Sequence, residues 1–324
     1  MRVLITGSAG FIGYHLAERL LAQGAVVAGV DDMNPYYDVA LKQARHARLA
    51  RYPGFSPHIQ DVADRSALAA LFAAFRPELV IHLAAQAGVR HALIAPQDYL
   101  HSNVEGSFSV LEACRLHPPR HLLMASTSSV YGASTRIPFT EDDPADTPLN
   151  IYAASKRAME LIAHSHAHLW RLPVTAFRFF TVYGPWGRPD MALFTFTRRI
   201  LAGEPIALHG HGEMERDFTY IDDLVEAVLR LAERPPQGAG AAAPFRIVNI
   251  GGGRPVRLAD FLAEVERGLG RQAQRQLVPA LPGELRITWA DPSRLRALTG
   301  YVPQTPISVG VPAFLRWYRE FYGV

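Results

Sequence analysis

The feature that most constrains the fold is the glycine-rich segment TGSAGFIG near the amino terminus. A short β-branched run, residues 2–6, leads into it, and apolar residues then recur at helical spacing over residues 11–23. Gly7, Gly10 and Gly13 are spaced three apart. Glycine permits a tight turn and close approach to a pyrophosphate, whose charge is met by N–H groups at the start of the helix. The segment therefore predicts a strand, turn and helix that bind a dinucleotide.

Strand and helix patterns alternate along the next part of the chain. A second strand is predicted over residues 26–30, and long helices over residues 97–117 and 151–170. Further apolar strands are predicted at residues 79–83, 121–126, 174–179 and 245–250. This alternation predicts an α/β fold, a doubly wound parallel (Rossmann) sheet with helices on both faces.

A second domain is indicated by length and by a change in texture. At 324 residues the chain fits two domains of about 150 residues each. The segment YGPWGRPDM, with two prolines and two glycines, interrupts the regular pattern. We predict a cofactor-binding domain over residues 1–180 and a smaller α/β substrate domain over residues 181–324. The apolar run at 245–250 suggests that the chain returns to the first domain near residues 218–252, so the domains are partly interleaved.

The identity of the dinucleotide is indicated by Asp31, at the end of the second predicted strand. A carboxylate there accepts hydrogen bonds from the ribose hydroxyls of the adenosine and repels a 2′-phosphate. NAD is therefore favoured over NADP.

A catalytic pair is predicted from the segment IYAASK, in which Tyr152 and Lys156 are four residues apart. Residues at this spacing project from one face of a helix, so the lysine ammonium can lie beside the phenol. A free phenol has a pKa of about 10, and positive charge from Lys156 and an oxidised nicotinamide would lower it toward the range useful for proton transfer. With the glycine turn, the pair predicts oxidoreductase chemistry on a bound dinucleotide.

Charge and hydropathy argue against several classes of protein. The net charge of +3 comes without a basic tract, so neither nucleic acid nor a membrane surface is an expected partner. Apolar runs stay well short of the ~20 residues of a membrane span. The start MRVLITGSAG is too short an apolar run for a signal peptide, so we expect a cytoplasmic protein. The single cysteine, Cys114, is expected on the buried face of a helix, without a catalytic role.

Histidines raise the question of a metal site. His164 and His168 would share a helix face, with His166 between them, and His209 and His211 flank a glycine. No carboxylate or cysteine accompanies them at ligand spacing. We therefore predict no metal and assign these side chains to the surface or to an interface.

Several longer segments carry a resemblance to a known family. They are TGSAGFIG, IHLAAQAGVRHAL, STSSVYG, YAASK, RFFTVYGPWGRPDMALF and ERDFTYIDD. In order and spacing they resemble the extended short-chain dehydrogenase/reductase family over residues 2–322, and within it the bacterial UDP-glucuronate 4-epimerases. The resemblance implies bound NAD, a UDP-sugar substrate and a homodimer formed through the helices at 97–117 and 151–170.

The resemblance also assigns cofactor residues. Asp61 is implied to bind the adenine amine, and Ala84 and Ala85 to border the cofactor. The predicted cofactor-binding residues are Gly7, Gly10, Phe11, Ile12, Gly13, Asp31, Asp61, Val62, Ala84, Ala85, Tyr152 and Lys156.

The reaction implied by the resemblance is reversible oxidation at carbon 4 of the sugar. Tyr152 as phenolate takes the 4-OH proton while hydride passes to NAD, the 4-keto sugar rotates, and hydride returns to its other face. Thr127 shares the hydrogen bond to the 4-OH, and Ser128 lies beside it. Related 4,6-dehydratases carry an Asp-Glu pair where this chain has Ser128 and Ser129, so elimination lacks its proton carriers.

Substrate contacts are also implied. A glucuronosyl carboxylate β to a ketone is easily lost as carbon dioxide, and Arg188 is positioned by the resemblance to restrain it through a bidentate contact. Thr181 offers a further hydrogen bond where neutral-sugar epimerases carry asparagine. Arg216 resembles the arginine that binds the UDP diphosphate, oriented by Asp217. Arg90 is a further substrate-side candidate.

The sequence thus predicts an NAD-dependent UDP-glucuronate 4-epimerase, an isomerase that makes UDP-galacturonate for surface polysaccharide. A UDP-glucose 4-epimerase, a UDP-glucuronate decarboxylase and a nucleotide-sugar 4-reductase remain open, since all share the cofactor site. Neutral-sugar epimerases carry a second diphosphate-binding arginine at the position of Leu281. The sequence therefore assigns no residue to this second diphosphate contact. A non-enzymatic NAD-sensing regulator is disfavoured because Tyr152, Lys156 and Thr127 are all present.

Overall fold

The computed structural model describes residues 1–89, 91–238, 240–280 and 285–324. Its strands are β1 (Arg2–Thr6), β2 (Val26–Asp31), β3 (Phe55–Ile59), β4 (Leu79–His82), β5 (His121–Thr127), β6 (Val174–Phe179), β7 (Thr181–Tyr183), β8 (Ile206–His209), β9 (Glu215–Tyr220), β10 (Phe245–Ile250), β11 (Pro255–Arg257), β12 (Arg275–Val278) and β13 (Ile287–Thr288). Its α-helices are α1 (Phe11–Ala22), α2 (Val39–Leu49), α3 (Arg65–Phe75), α4 (Pro96–Tyr99), α5 (Gly106–Leu116), α6 (Ile151–Trp170), α7 (Ala192–Ala202), α8 (Ile221–Ala232), α9 (Leu258–Leu269), α10 (Ser293–Thr299) and α11 (Ile307–Tyr322). In this described part of the chain, no helix combines the length and apolar character that crossing a membrane requires.

The chain forms two compact units. The first comprises residues 1–134, 141–178 and 228–248, and the second comprises residues 135–140, 179–227 and 249–324. The assignment of the cofactor to one domain and of the sugar nucleotide to the other stays a prediction.

The seven-stranded sheet has the order β10-β6-β5-β4-β1-β2-β3. Strand β1 pairs in parallel with both β2 and β4, which sets Thr6 beside Val30 and beside His82. The pairs β2–β3 and β4–β5 are also parallel. All residues of β4 and β5 are buried, as expected for strands covered on both faces. The predicted doubly wound parallel α/β fold is confirmed.

Helices α3, α5 and α6 bury apolar faces against one side of this sheet. The resulting core includes Leu68, Phe72, Val110, Cys114 and Met159. Cys114 is fully buried, so the prediction of a buried helix face is confirmed, and burial raises the pKa of its thiol. The thiol therefore stays protonated and unreactive near neutral pH.

The predicted continuous helix over residues 97–117 is wrong in one respect, because the π-helical segment Leu100–Glu105 separates α4 from α5. This segment contains Asn103, which is fully buried. Its amide accepts from the Gln86 N–H at 2.9 Å and donates to the Gln86 carbonyl at 3.0 Å and to the Ser155 hydroxyl at 2.9 Å. A π-turn accommodates one extra residue, which hydrophobic periodicity alone does not reveal.

The second unit is built around β9, which pairs antiparallel with β11 and parallel with β13 and β7. Strands β8 and β12 form a separate parallel pair. Helices α7 and α11 pack through aromatic rings, including Phe194, Phe314 and Tyr318. Trp317 and Tyr318 of α11 are only 8% and 6% exposed, so both rings contribute to this packing.

Candidate active site

The glycine turn after β1 is packed too tightly for larger residues. Gly7 has φ +72°, and a Cβ built there would lie 2.8 Å from the backbone nitrogen of Ala84. A Cβ on Gly13 would lie 2.1 Å from the carbonyl oxygen of Gly7. The structure therefore brings the turn directly against the segment that follows β4, where the family resemblance implies that Ala84 and Ala85 border the cofactor.

The start of α1 suits an anion. Gly10 precedes this helix, no described side chain caps it, and its first turn contains no acidic residue. The first N–H groups of a helix lack intrahelical partners and attract negative charge. Phe11 is buried and anchors the helix, while Ile12 is half-buried. These residues fit the pyrophosphate of a dinucleotide.

Asp31 is held in a fixed position at the end of β2. Its carboxylate accepts from the backbone N–H of Ala9 at 2.9 Å and of Met33 at 3.0 Å, and the Lys42 ammonium lies 3.8 Å away. A carboxylate offers about four acceptor sites, so the two backbone bonds leave capacity for further donors. This geometry is compatible with the predicted contact to ribose hydroxyls.

Asp61, the predicted adenine ligand, is paired with a histidine that the sequence analysis did not single out. One carboxylate oxygen lies 2.6 Å from Nε2 of His101, and the other accepts from the Ala63 N–H at 2.8 Å. The bond with Asp61 raises the pKa of His101. The Asp61 side chain remains 43% exposed, and the neighbouring Val62 is buried. His101 lies in the π-helical segment, which the sequence analysis did not predict.

A buried network lies beneath the end of β4. The Thr6 hydroxyl accepts from the N–H groups of Leu83 and Ala84, each at 3.1 Å, so its own proton is directed to Nδ1 of His82 at 2.7 Å. We therefore assign the His82 proton to Nε2, which donates to the Ser107 hydroxyl at 2.9 Å. Burial lowers the pKa of His82 to about 3, so the ring stays neutral.

Tyr152 lies in the first turn of α6, which has the predicted boundaries. The helix is capped by Asn150, whose side-chain oxygen accepts from the Ala153 N–H at 2.9 Å. The Tyr152 side chain is half-buried, and its ring meets that of Tyr99 edge to face at 6.0 Å. The cap thus fixes the helix start close to the phenol.

Lys156 lies one turn further along α6 and is 2% exposed. Its ammonium donates to the carbonyl oxygen of Ala125 in β5 at 2.8 Å. Burial lowers the pKa of Lys156 to about 7, and the negative charge of Glu160 opposes this shift. The amine is thus tied to the same strand that carries Thr127.

Thr127 ends β5 and begins the short 3₁₀ helix Ser128–Tyr131. Its hydroxyl accepts from the Ser129 N–H at 3.2 Å and is nearly buried, as is Ser128. Because Ala125 is only two residues before Thr127, the lysine contact brings the predicted catalytic residues to one region of the first unit.

The sequence analysis missed a buried ion pair next to these residues. Glu160 of α6 and Arg178 of β6 are 0% and 1% exposed, and Ser126 donates to Glu160 at 2.5 Å. Two signals were available in the sequence. Glu160 continues the four-residue spacing of Tyr152 and Lys156, and Arg178 is a charged residue inside an apolar strand pattern, VTAFRF.

Two predicted substrate residues lie in the sheet of the second unit. Thr181 of β7 is paired with Phe218 of β9, so it shares a face with Arg216, two residues from Phe218. The Arg216 guanidinium donates to the carbonyl oxygens of Glu215 and Arg286, at 2.8 and 3.2 Å.

The hypothesis that Asp217 orients Arg216 is wrong. Adjacent residues of a strand point to opposite faces. The Asp217 carboxylate is fully buried and accepts from the backbone N–H groups of Gly252, Gly253 and Ala290, at 2.9, 2.9 and 3.1 Å. Asp217 therefore ties two loops to β9.

Arg188 lies in the turn between β7 and α7. Trp186 in this turn has φ +61° and packs its ring on Trp317 of α11 at 5.3 Å. The Arg188 guanidinium meets Asp190 in a bidentate ion pair, with N–O distances of 3.0 and 2.5 Å. Arg90 and Leu281 lie outside the described residues.

The histidines of α6 differ in environment. His166 is buried and its Nε2 lies 3.1 Å from a carboxylate oxygen of Glu112, so the prediction of a surface or interface position is wrong for this residue. Its spacing gave no sign that its helix face turns toward α5. His164 is exposed, and its ring and that of Phe245 meet edge to face at 5.3 Å.

Comparison with known proteins places this geometry in a family. The chain is 50% identical to a probable UDP-glucuronate 4-epimerase of Rhizobium meliloti, over 99% of this chain and 98% of that protein. It is 43% identical to UDP-glucuronate 4-epimerase 3 of Arabidopsis thaliana, over 99% of this chain and 77% of that protein. The crystal structure of a Bacillus cereus UDP-glucuronic acid 4-epimerase with UDP-glucuronic acid and NAD superposes with a TM-score of 0.91, at 31% identity, covering 99% of this chain and 100% of that one.

The sequence profile described as "NAD dependent epimerase/dehydratase family" matches residues 3–251. This match covers well over half of the chain, and it agrees with the resemblance carried by the motifs. The protein therefore belongs to the NAD-dependent epimerase/dehydratase family.

Proposed function

We propose that this protein is a UDP-glucuronate 4-epimerase that interconverts UDP-glucuronic and UDP-galacturonic acid with NAD as a retained cofactor. The observation that carries the proposal is the arrangement of Tyr152, Lys156 and Thr127 at the end of β5 and the start of α6. Relatives that match almost the whole chain are named as UDP-glucuronate 4-epimerases. The glycine turn, Asp31 and Asp61 are the proposed cofactor contacts.

Each catalytic side chain has a proposed role in moving one proton. Bound NAD supplies the reversible hydride acceptor for carbon 4 of the sugar. Tyr152 as phenolate takes the 4-OH proton and later returns it, and Thr127 orients that hydroxyl through a shared hydrogen bond. Lys156 supports the phenolate with positive charge, which its buried contact with Ala125 keeps in a fixed position.

The substrate carboxylate is assigned to Arg188 and Thr181. A guanidinium fork suits a carboxylate, as the bidentate contact of Arg188 with Asp190 illustrates. Restraining this group during the 4-keto stage opposes loss of carbon dioxide. Arg216 is the proposed diphosphate contact, and Ser128 borders the sugar.

Epimerisation is favoured over dehydration within this family. Elimination of water needs an acid and a base beside the threonine, and Ser128 and Ser129 have neither function near neutral pH.

We further propose a homodimer formed through α4, α5 and α6. Apolar side chains on α6 and on the π-helical segment between α4 and α5 are exposed in the single chain, with Leu161 at 54%, Leu169 at 63% and Leu100 at 53%. Apolar surface of this kind marks sites of association.

The proposed location is the cytoplasm, because a single buried cysteine suits a reducing compartment. The proposed process is polysaccharide synthesis, since an activated uronic acid is a sugar donor.

The test is a product analysis of the purified protein with UDP-glucuronic acid, with and without added NAD, and with UDP-galactose in parallel. NMR and mass spectrometry should detect UDP-galacturonate of unchanged mass without added NAD. Carbon dioxide with a UDP-pentose would instead identify a decarboxylase. Turnover of UDP-galactose alone would identify a neutral-sugar epimerase and remove Arg188 from its role.

A further inference from the structure

Two opposite charges lie completely buried behind the catalytic residues. Arg178 donates to Glu160 through Nε at 3.0 Å and through Nη2 at 2.9 Å, and its guanidinium lies 4.7 Å from the ring centre of Tyr131. Ser126 donates to the same carboxylate at 2.5 Å. We call Glu160, Arg178 and Ser126 the Glu160 cluster. Its charges meet in the interior of the first unit, with Arg157 at the rim, 3.0 Å from Glu160.

Such a cluster is not explained by stability alone. Taking two charges out of water costs free energy that their attraction only partly offsets, and apolar replacements of similar volume often fold as well or better. A fully buried pair is therefore weak evidence for a purely stabilising role. Its position suggests a different one.

The cluster joins the same two elements that carry the catalytic residues. The Ala125 carbonyl accepts from Lys156, and the next residue, Ser126, binds Glu160. Thr127 follows directly. Two consecutive residues of β5, Ala125 and Ser126, thus bind two residues of α6. Lys156 and Glu160 are four residues apart, so they lie one helical turn from each other.

We propose that Glu160, fixed by Arg178, is a positioning residue for catalysis, because its carboxylate binds Ser126 and so keeps the neighbouring Ala125 carbonyl, which holds the Lys156 ammonium, in register with Tyr152. This inference rests on the proposed roles of Tyr152 and Lys156. Glu160 adds a fixed negative charge one helical turn after Lys156 on α6, whereas Tyr152 lies one turn before Lys156.

Charges on the surrounding elements define what Glu160 must do. Lys156 interacts unfavourably with His82 of β4 if that ring takes up a proton, and burial disfavours its ammonium. Arg178 of β6 adds positive charge, and Tyr131 contributes a ring with no charge in its neutral form. Glu160 is the group whose charge raises the pKa of Lys156 against burial. Removing that charge should therefore favour neutral Lys156 and protonated Tyr152.

The test compares wild type with Glu160→Gln and with the double variant Glu160→Leu/Arg178→Met, as purified holoenzymes. The double variant removes Glu160 and Arg178 together, so Arg178 is not left buried without its partner carboxylate, and the proposal stays testable if Glu160→Gln alone fails to fold. Ultraviolet difference titration reports phenolate, and subtraction of the Tyr152→Phe titration isolates the signal of Tyr152. The pH profile of kcat/KM provides a second readout.

We expect the Tyr152 transition and the acid limb of kcat/KM to move up by about one pH unit, a tenfold loss of activity below the limb. Glu112→Gln removes a carboxylate that also binds an arginine and a histidine, and serves as the matched control with a wild-type profile. A folded double variant with the wild-type Tyr152 transition would overturn the inference alone. If the phenolate transition of wild type persists unchanged in Tyr152→Phe, it does not come from Tyr152. That result would overturn the proposed base, and the inference with it.

Discussion

The Lys156 ammonium donates to the carbonyl oxygen of Ala125 at 2.8 Å, two residues before Thr127 in the same strand. This contact holds a buried amine whose pKa is lowered to about 7 by its surroundings. The charge of Lys156 is therefore sensitive to pH in the neutral range. Any role that needs its positive charge must weaken as the pH rises.

Lys156 should produce an alkaline limb in the activity profile. The ammonium is present below its pKa of about 7 and is lost above it, so kcat/KM should fall as the pH rises from about 7. In Lys156→Arg the guanidinium stays charged, so the residual activity should lack this fall. Steady-state kinetics across the neutral and alkaline range measure both profiles. The same alkaline fall in Lys156→Arg would assign the limb to another group.

The glycine turn makes a prediction about stability. A Cβ on Gly13 would lie 2.1 Å from the Gly7 carbonyl oxygen, a contact that requires the backbone to move. Gly13→Ala should cost about 3 kcal/mol and reduce retained NAD. The matched control is Gly203→Ala, at φ +69° with open space around it, which should cost about 1 kcal/mol and leave NAD content unchanged. Denaturant unfolding and the absorbance of extracted cofactor would check both, and equal costs would contradict the packing argument.

The parts of this protein that sequence predicted well are those governed by local pattern. The glycine turn, helix α6 and strand β6 follow from periodicity and from residue types, and Cys114 was placed in the core for the same reason. The fold class follows because alternating strands and helices permit few arrangements.

The parts that sequence missed depend on contacts across the chain. Asp217 was paired with its neighbour Arg216, whereas it binds backbone N–H groups of residues 35 to 73 positions away. Glu160 and Arg178 each carry a local signal, a four-residue spacing and a charge inside an apolar strand, but neither signal identifies the partner. The π-helical segment inserts a single residue, which a period of 3.6 does not resolve.

Acid sensitivity should come in part from His82. Its pKa is lowered from 6.5 to about 3 in the folded protein by burial. Below pH 6.5 the unfolded chain takes up a proton that the folded chain does not, so stability falls as the pH drops from 6.5 toward 3. The slope is up to about 1.4 kcal/mol per pH unit. His82→Gln should be less stable than wild type at pH 7, and its stability should fall less steeply as the pH drops.

Chemical denaturation at several pH values between 4 and about 7 measures this slope. The exposed His164 provides a matched control, since His164→Gln changes the same residue type without disturbing a buried network. The stability of His164→Gln should fall with decreasing pH as that of wild type does. An unchanged slope in His82→Gln would show that the ring is not the group that links acid to unfolding.

Arg188 should discriminate acidic from neutral sugars. Its guanidinium binds the Asp190 carboxylate bidentately, so a substrate carboxylate bound by Arg188 would take over this fork from Asp190. Loss of a hydrogen bond to a charged group costs about 1.5–3 kcal/mol, so Arg188→Ala should lower kcat/KM for UDP-glucuronate about ten- to hundredfold. Arg188→Lys keeps the positive charge without the guanidinium fork, so its kcat/KM for UDP-glucuronate should lie between those of wild type and Arg188→Ala.

The comparison that decides this assignment uses UDP-galactose as the second substrate. Any activity with this neutral sugar should be almost unchanged in Arg188→Ala, because no carboxylate is present to bind. Product analysis should also show more UDP-pentose from UDP-glucuronate, since a 4-keto acid that is no longer restrained loses carbon dioxide more easily. Equal losses for the two substrates would mean that Arg188 supports the turn between β7 and α7 and does not bind the sugar carboxylate.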